Sequence, residues 1–290
     1  MELLRALAAL LEPPGPEHPR LGRLLELGEP PPAEEHLRLF ELELRPYASV
    51  FLGREGKLGG EARDRIAGFW RALGATPPPE PDHLATLLAA YADLAEDEAA
   101  GGSAAERAGH ARRAFLWEHL LSWLPAWLAQ LQRLAGPFHR GWGGLLTEVL
   151  RREAAAVAEP PVLPLALRRA GELADPRVHG GEAFLGTLLA PVTSGLLVTR
   201  NDLTRGAREL GLGLRAGERA YALKALLAQD AAATLSWLAD EAEGWPERHR
   251  RAWERCGPRV GAAWAERAVA TARLTRELAD DATQAAAGGG

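Results

Sequence analysis

The chain has 290 residues, 47% of them apolar, and a formal net charge of −5, which is length and apolar content enough for one large or two ordinary cores and excludes a disordered chain. Alanine, leucine, glutamate and arginine dominate, only 3 tyrosines and 6 phenylalanines occur, and no run alternates cleanly, so an all-α protein is expected. The single cysteine, Cys256, excludes an internal disulfide and a multi-cysteine metal site and fits a reducing compartment, the cytoplasm by default.

Charge is uneven along the chain. Residues 1–150 hold 21 Asp+Glu against 15 Lys+Arg, a net of −6, and residues 151–290 hold 18 against 19, a net of +1. The acidic first half repels nucleic acid and attracts a basic peptide. The N-terminal run carries Glu2 and Arg5 among its leucines and no small-residue cleavage site, so it is expected to be a first amphipathic helix and not an export signal. The longest uncharged stretch, 183–199, contains Gly186, Pro191 and Gly195 and falls short of the roughly 20 apolar residues of a bilayer span; stable membrane insertion is not expected.

In chain order, the first helix is predicted to stop at Pro13-Pro14-Gly15, and a second, 20–27, at Gly28 and Pro30-Pro31-Pro32. Residues 33–44 are dense in leucine, and 45–53 are predicted extended or turned because Pro46 biases its predecessor away from helix. Tyr47 and Phe51 in that segment would line a groove or plug the core. A helix over 61–73 presents Ile66, Phe69 and Trp70 on one face and stops at Gly74. The stiff run Pro77-Pro78-Pro79-Glu80-Pro81 then delivers Asp82-His83 to the start of another helix, with Asp82 placed as its N-cap.

Ser103 to Glu106 has the form of a capping box, launching a helix into the ribbon 115–134. There Leu116, Leu120, Trp123, Leu124, Trp127, Leu128 and Leu131 form one apolar stripe, and Pro125 must kink or split it. The stripe is expected in the core. Residues 138–158 form a further helix, and Glu159-Pro160-Pro161-Val162-Leu163-Pro164 a linker, so the expected domains are 1–158 and 165–283, with 284–290 a disordered tail.

Five stretches of the first half, in order, resemble the TorD/DmsD/NarJ family of helical chaperones dedicated to molybdenum-cofactor enzymes. Leu37-Arg38-Leu39-Phe40 is similar to the family's RLF element, and Pro46-Tyr47-Ala48-Ser49-Val50-Phe51 to its P-Y-E-S-V-Y loop, with Ala48 and Phe51 replacing Glu and Tyr. Glu80-Pro81-Asp82-His83-Leu84 matches the E-P-D-H signature tied to signal-peptide recognition; residues 115–125 resemble the F-L-x-E-H-L-x-x-W-x-P helix, and Pro137-Phe138-His139 the P-F-Y that follows. The acidic residue usual about four positions after the histidine is absent, Leu87 standing there.

The resemblance implies a TorD-like helical bundle with an additional helical C-terminal region, no catalysis and no cofactor. It implies a partner, the catalytic subunit of a molybdopterin-dependent oxidoreductase, gripped by its twin-arginine signal peptide or another segment until cofactor insertion and export or assembly. The implied peptide-binding residues are Tyr47, Ser49, Phe51, Pro81, Asp82, His83, Glu118, His119 and Trp123. Asp82 would approach an arginine, Tyr47 and Phe51 the apolar run, and Glu118-His119 would brace the groove. Read on its residues alone, Asp82 serves equally as a pure cap, and His83 lacks a second histidine at metal-ligand spacing.

In the second half a short helix over 165–173 and an apolar segment 182–197 interrupted by Pro191 precede a cap signal, Thr199 to Asp202, that opens a helix to Leu210. Gly211-Leu212-Gly213 and a helix over 218–228 follow, so residues 199–228 also have the form of a helix-turn-helix DNA reader. Its second helix offers only Arg219, Tyr221 and Lys224 to bases, and a near-neutral half is a poor nucleic-acid partner. Asp240, Glu241 and Glu243 are expected to be a solvated helix end rather than a metal site, because no histidine joins them. Residues 246–256 are expected to form a helix whose Arg248, His249, Arg250 and Arg251 make a polar face. No nucleophile-base pair or phosphate-cradling glycine loop occurs, and the short stiff hinges leave room for a homodimer by helix exchange.

Overall fold

The computed structural model of the chain describes residues 1–53, 56–215 and 217–288. Residue 216 of the helix-turn-helix stretch and residues 289 and 290 of the expected tail lie outside the described residues. Among the described residues the chain is all helical with no strand, and its one strand-like pairing is a bridge between Tyr47 and His83.

The helices of the first part are α1 (Glu2–Ala9), α2 (His18–Leu24), α3 (Ala33–Leu37), α4 (Ala48–Leu52), α5 (Gly60–Ala72), α6 (Leu84–Ala99), α7 (Ala105–Phe115), α8 (Leu124–Leu134), α9 (Pro137–Ala156) and α10 (Leu165–Arg169). Two π-helical turns, Arg38–Glu43 and Leu116–Leu120, continue α3 and α7. The remainder comprises α11 (Pro176–His179), α12 (Gly181–Leu188), α13 (Pro191–Ser194), α14 (Arg200–Leu210), α15 (Arg219–Gln229), α16 (Ala231–Glu243), α17 (Trp245–Trp253) and α18 (Pro258–Gly288).

The chain divides into two compact units. The first comprises Met1–Gly53, Lys57–Arg169 and Ala252–Val260; the second comprises Ala170–Arg251, Gly56 and the helix from Gly261 onward. The proline-rich segment 159–164 thus lies inside the first unit.

In the first unit α6 packs against both α1 and α7, and α8 against α9. The tryptophan stripe is core: Trp123, Trp127 and Trp142 are fully buried, Trp127 stacks on Phe40 at 6.1 Å and meets Trp142 edge-on at 6.0 Å. The Trp142 indole N–H donates to the Leu7 carbonyl at 2.9 Å, which satisfies a buried donor and pins α1 to α9. Residues 115–134 are not one helix. The chain passes from α7 through the π-helical turn and a turn at Trp123, and α8 opens with Pro125 in its first turn, where a missing N–H costs nothing.

Three local expectations are corrected. The segment 45–53 is extended only at its start, because residues 48–52 close into α4. The Ser103 capping box does not form: α7 begins at Ala105 with Ala104 at the cap position, and its methyl group accepts no bond. The last helix, α18, continues through Gly288 into the stretch expected as a tail from residue 284, as its alanines favour.

In the second unit, Thr199 and Asp202 form the reciprocal capping box that opens α14. Gly195, at φ +72, ends α13 so close to α18 that an added Cβ would lie 2.5 Å from the Ala268 nitrogen. The polar face expected around His249 is also corrected: His249 is 0% exposed and its Nε2 bonds the Gly195 carbonyl at 2.7 Å.

Candidate functional site

Five of the residues singled out in the sequence, Tyr47, Ser49, Pro81, Asp82 and His83, meet where the starts of α4 and α6 cross. Pro46 and Pro81 hold the chain extended ahead of each helix, so the two segments pair like short antiparallel strands: Ala48 N–H donates to the Asp82 carbonyl at 2.9 Å and Leu84 N–H to the Pro46 carbonyl at 2.7 Å. Tyr47 is the cap residue of α4 and His83 that of α6, and neither side chain bonds its own helix. The cap comes from across the bridge. Asp82 Oδ2 accepts the Ser49 N–H of α4 at 3.2 Å, with Asp82 only 2% exposed. Asp82 therefore caps a helix, but α4 rather than its own α6. The Ser49 hydroxyl, also buried, accepts the Gly59 N–H at 3.1 Å, tying α4 to the chain that leads into α5.

On the outer side of the bridge the Tyr47 ring, half-buried, lies edge-on to His83 at 4.8 Å. Its hydroxyl donates to the exposed Glu80 carboxylate at 3.0 Å. Burial, and then the Glu80 carboxylate, push the phenol well above its ordinary range, so it stays a donor. Burial lowers the His83 imidazole more than the carboxylates of Glu12, Glu80, Asp82 and Glu41 raise it, and the ring is neutral at neutral pH. Glu12 was not legible as part of this site. It arrives from the loop after α1, with Oε1 3.9 Å from His83 Nδ1, and nothing in its local sequence links it to a histidine 71 positions on. His18 holds that loop: its Nδ1 accepts the Gly15 N–H at 3.0 Å, which leaves Nε2 to donate to the Glu12 carbonyl at 3.1 Å.

The other site candidates lie deeper or elsewhere. Phe51 and Trp123 stack at 5.0 Å and are 4% and 0% exposed, forming the buried side of α4. The Trp123 indole donates to the His119 carbonyl at 2.8 Å, and the His119 ring sits among Phe69 and Phe115, lowered to about 4 first by burial and then by Arg65. Glu118 turns away to the start of α10, where its Oε2 accepts the Leu165 N–H at 2.8 Å. The structure thus brings together Tyr47, Ser49, Pro81, Asp82 and His83, backs them with Phe51, Trp123 and His119, and assigns Glu118 to holding α10.

In the second unit, Arg219 donates to the Val198 carbonyl at 2.7 Å, Lys224 pairs with Glu182, and the Tyr221 hydroxyl accepts from Arg215 at 3.3 Å, so all three side chains that α15 would offer to bases are engaged. Arg276 bridges Asp240 at 2.5 Å and Glu243 at 2.8 Å, and Arg205 pairs with Glu241 at 2.8 Å; the acidic cluster at the end of α16 is a set of ion pairs. Among the described residues no group of three or more His, Cys, Asp or Glu side chains could hold a metal ion, and no helix is long and apolar enough to cross a membrane.

Residues 19–129 match the family model described as the nitrate reductase delta subunit; no curated protein and no solved structure matches the chain. That family is a molybdoenzyme assembly chaperone family, part of the TorD/DmsD/NarJ superfamily. Four of the five motif stretches fall inside the matched residues, and the Tyr47–His83 bridge with its Asp82 cap is built within them. From residue 19 to residue 129, the chain is therefore similar to the nitrate reductase delta subunit family.

Proposed function

We propose that the chain is a system-specific assembly chaperone in the cytoplasm, which holds the catalytic subunit of a molybdopterin-dependent oxidoreductase until its cofactor is inserted and export or assembly can proceed. The observation that carries this reading is the match over residues 19–129, within which Tyr47, Ser49, Pro81, Asp82 and His83 gather at one bridge. The description of the matched family makes a nitrate reductase the first client class to test. The grip is on an unfolded segment, a twin-arginine signal peptide or another basic stretch followed by an apolar run. Exposed Glu12, Glu41 and Glu80 around Tyr47 and His83 supply attraction for the basic part, and the apolar run adds roughly 25 cal/mol per Å² buried. A micromolar affinity, about −8 kcal/mol, holds the client reversibly. The chain performs no catalysis of its own.

Affinity purification of the tagged full chain from cells expressing candidate molybdoenzymes, with and without molybdopterin synthesis, tests the proposal. Recovery of a catalytic subunit, enriched when the cofactor is missing, is the expected result. Recovery of no molybdoenzyme subunit under either condition, with the chain folded and abundant, overturns it.

A further inference from the structure

The acids around the bridge are not equally available. Asp82, the acid of the E-P-D-H signature, is 2% exposed and spends its carboxylate on the Ser49 amide, and Leu87, where a second acid would stand, is 0% exposed. Glu80 accepts the Tyr47 hydroxyl. Glu12 is different: its side chain is 59% exposed, and the group it faces is the His83 imidazole at 3.9 Å, beyond hydrogen-bond reach. His83 is only 8% exposed, and neither of its ring nitrogens has a hydrogen bond among the described residues. A neutral imidazole has one N–H and one bare nitrogen, so the bare nitrogen and the open Glu12 carboxylate offer two acceptors to a donor that enters the 3.9 Å gap between the side chains.

We propose that Glu12 and His83 together form the seat for one guanidinium group of a basic peptide, with Glu12, not Asp82, as the carboxylate that meets the arginine. A guanidinium carries five N–H donors in a planar fork, so one edge can donate to Glu12 and to the free nitrogen of His83 together. The half-buried Tyr47 ring beside them offers an aromatic surface to its plane. An ammonium is a compact point donor and has neither the fork nor the plane. The backbone under the seat is set in advance: His18 clamps the loop at the Gly15 amide and the Glu12 carbonyl, which fixes the main chain that carries the carboxylate. His18 is thus a positioning residue. The inference rests on the peptide-gripping reading above and names the chemical group that the grip takes.

The test uses the full chain and fluorescence anisotropy with three synthetic labelled peptides, identical except for Arg-Arg, Lys-Lys or citrulline-citrulline ahead of a leucine-rich run. The Arg-Arg peptide is expected to bind tightest, and citrulline, which keeps shape but loses charge, weakest. Glu12→Gln is expected to weaken the Arg-Arg peptide about fivefold, or about 1 kcal/mol for an exposed ion pair, and to flatten its salt dependence. His83→Phe keeps ring volume and is expected to lose a similar factor, while Glu106→Gln, an equal charge change outside this cluster, leaves binding within error. Glu12→Gln binding like the wild type, or equal affinity for the arginine and citrulline peptides, overturns the seat. A chain that binds none of the three peptides yet still recovers a molybdoenzyme subunit overturns the seat and leaves the chaperone reading standing. Arginine-specific binding lost in Glu12→Gln, with no molybdoenzyme subunit recovered, does the reverse.

Discussion

If Asp82 is a cap and not a contact, its replacements should sort by hydrogen bonding rather than by charge. Asp82→Ala leaves the Ser49 N–H without an acceptor in a position that is 0% exposed. Loss of an N-cap costs about 1 kcal/mol where water can replace it, and a buried amide left unpaired costs about 1–3 kcal/mol; with no water access the upper part of that range applies, about 2–3 kcal/mol. In a chain of this size that corresponds to a fall of roughly 4–10 °C in melting temperature. Asp82→Asn keeps a carbonyl oxygen in place and should lose less than about 1 kcal/mol. Urea titration of wild type and both variants by circular dichroism, with hydrogen exchange at Ser49, reads this directly. Faster exchange at Ser49 in the alanine variant, near-native protection in the asparagine variant, and peptide affinity within about twofold in both folded variants (RT ln 2 is about 0.4 kcal/mol) are the expected pattern. Wild-type stability in Asp82→Ala, or an asparagine variant that is stable yet loses arginine-peptide binding, would refute the reasoning and return the carboxylate to the ligand.

Burial lowers His36, His119, His139 and His249 to about 4, against an ordinary value of 6.5. The unfolded chain therefore binds more protons between those values, so stability is complete above about pH 6.5 and falls steadily toward pH 4. The urea midpoint should drop across that window and drop less steeply in His139→Phe, and a flat profile would contradict buried neutral rings. Arg112 bonds Glu98 and Glu153 at 2.6 Å each and the Tyr91 hydroxyl at 3.1 Å, with Arg112 and Glu153 side chains 16% exposed. Arg112→Ala should cost about 2–3 kcal/mol, whereas Arg276→Ala, on a more open set of ion pairs, should cost under about 1 kcal/mol; equal losses in denaturant titrations would show that enclosure is not what matters. Gly195→Ala must accept a left-handed φ, about 1–2 kcal/mol, and push α13 away from α18. It should be among the most damaging single-methyl additions, seen as lost protection in the second unit, and native stability would show that Gly195 is not under that constraint.

The fold was legible in so far as it depends on composition and periodicity. The tryptophan stripe, the break at Pro125, and the Thr199 to Asp202 box are local chemistry, and each stands where its residues placed it. The errors came where two distant pieces of chain share one requirement. Asp82 looks like the cap of the helix it precedes, and only the bridge to Tyr47 shows that the open amide within its reach belongs to α4. His249, flanked by arginines, looks like a polar face, yet the helix rotates it inward onto Gly195. Glu118 belongs to the same helical motif as His119, but its carboxylate serves an amide 47 residues on. Glu12 carries no motif and became visible only when the loop that His18 folds placed it beside His83.

These cases divide the signature residues by task. Ser49, Asp82, Glu118 and Trp123 spend their polar atoms on backbone groups of the first unit, and substituting any of them should register first as lost stability. Only Tyr47 and His83 keep a face toward the acidic rim. A motif of this kind specifies a scaffold and an address more than it specifies a ligand. On the proposed reading, what the address holds is set by side chains outside the motif, whose charge does not enter the bonds of the bridge. Glu12 is such a residue: exposed, and carried on a loop that a separate histidine keeps in register. Selectivity between clients is therefore expected to track the residues on the loop after α1 while the bridge beneath stays the same.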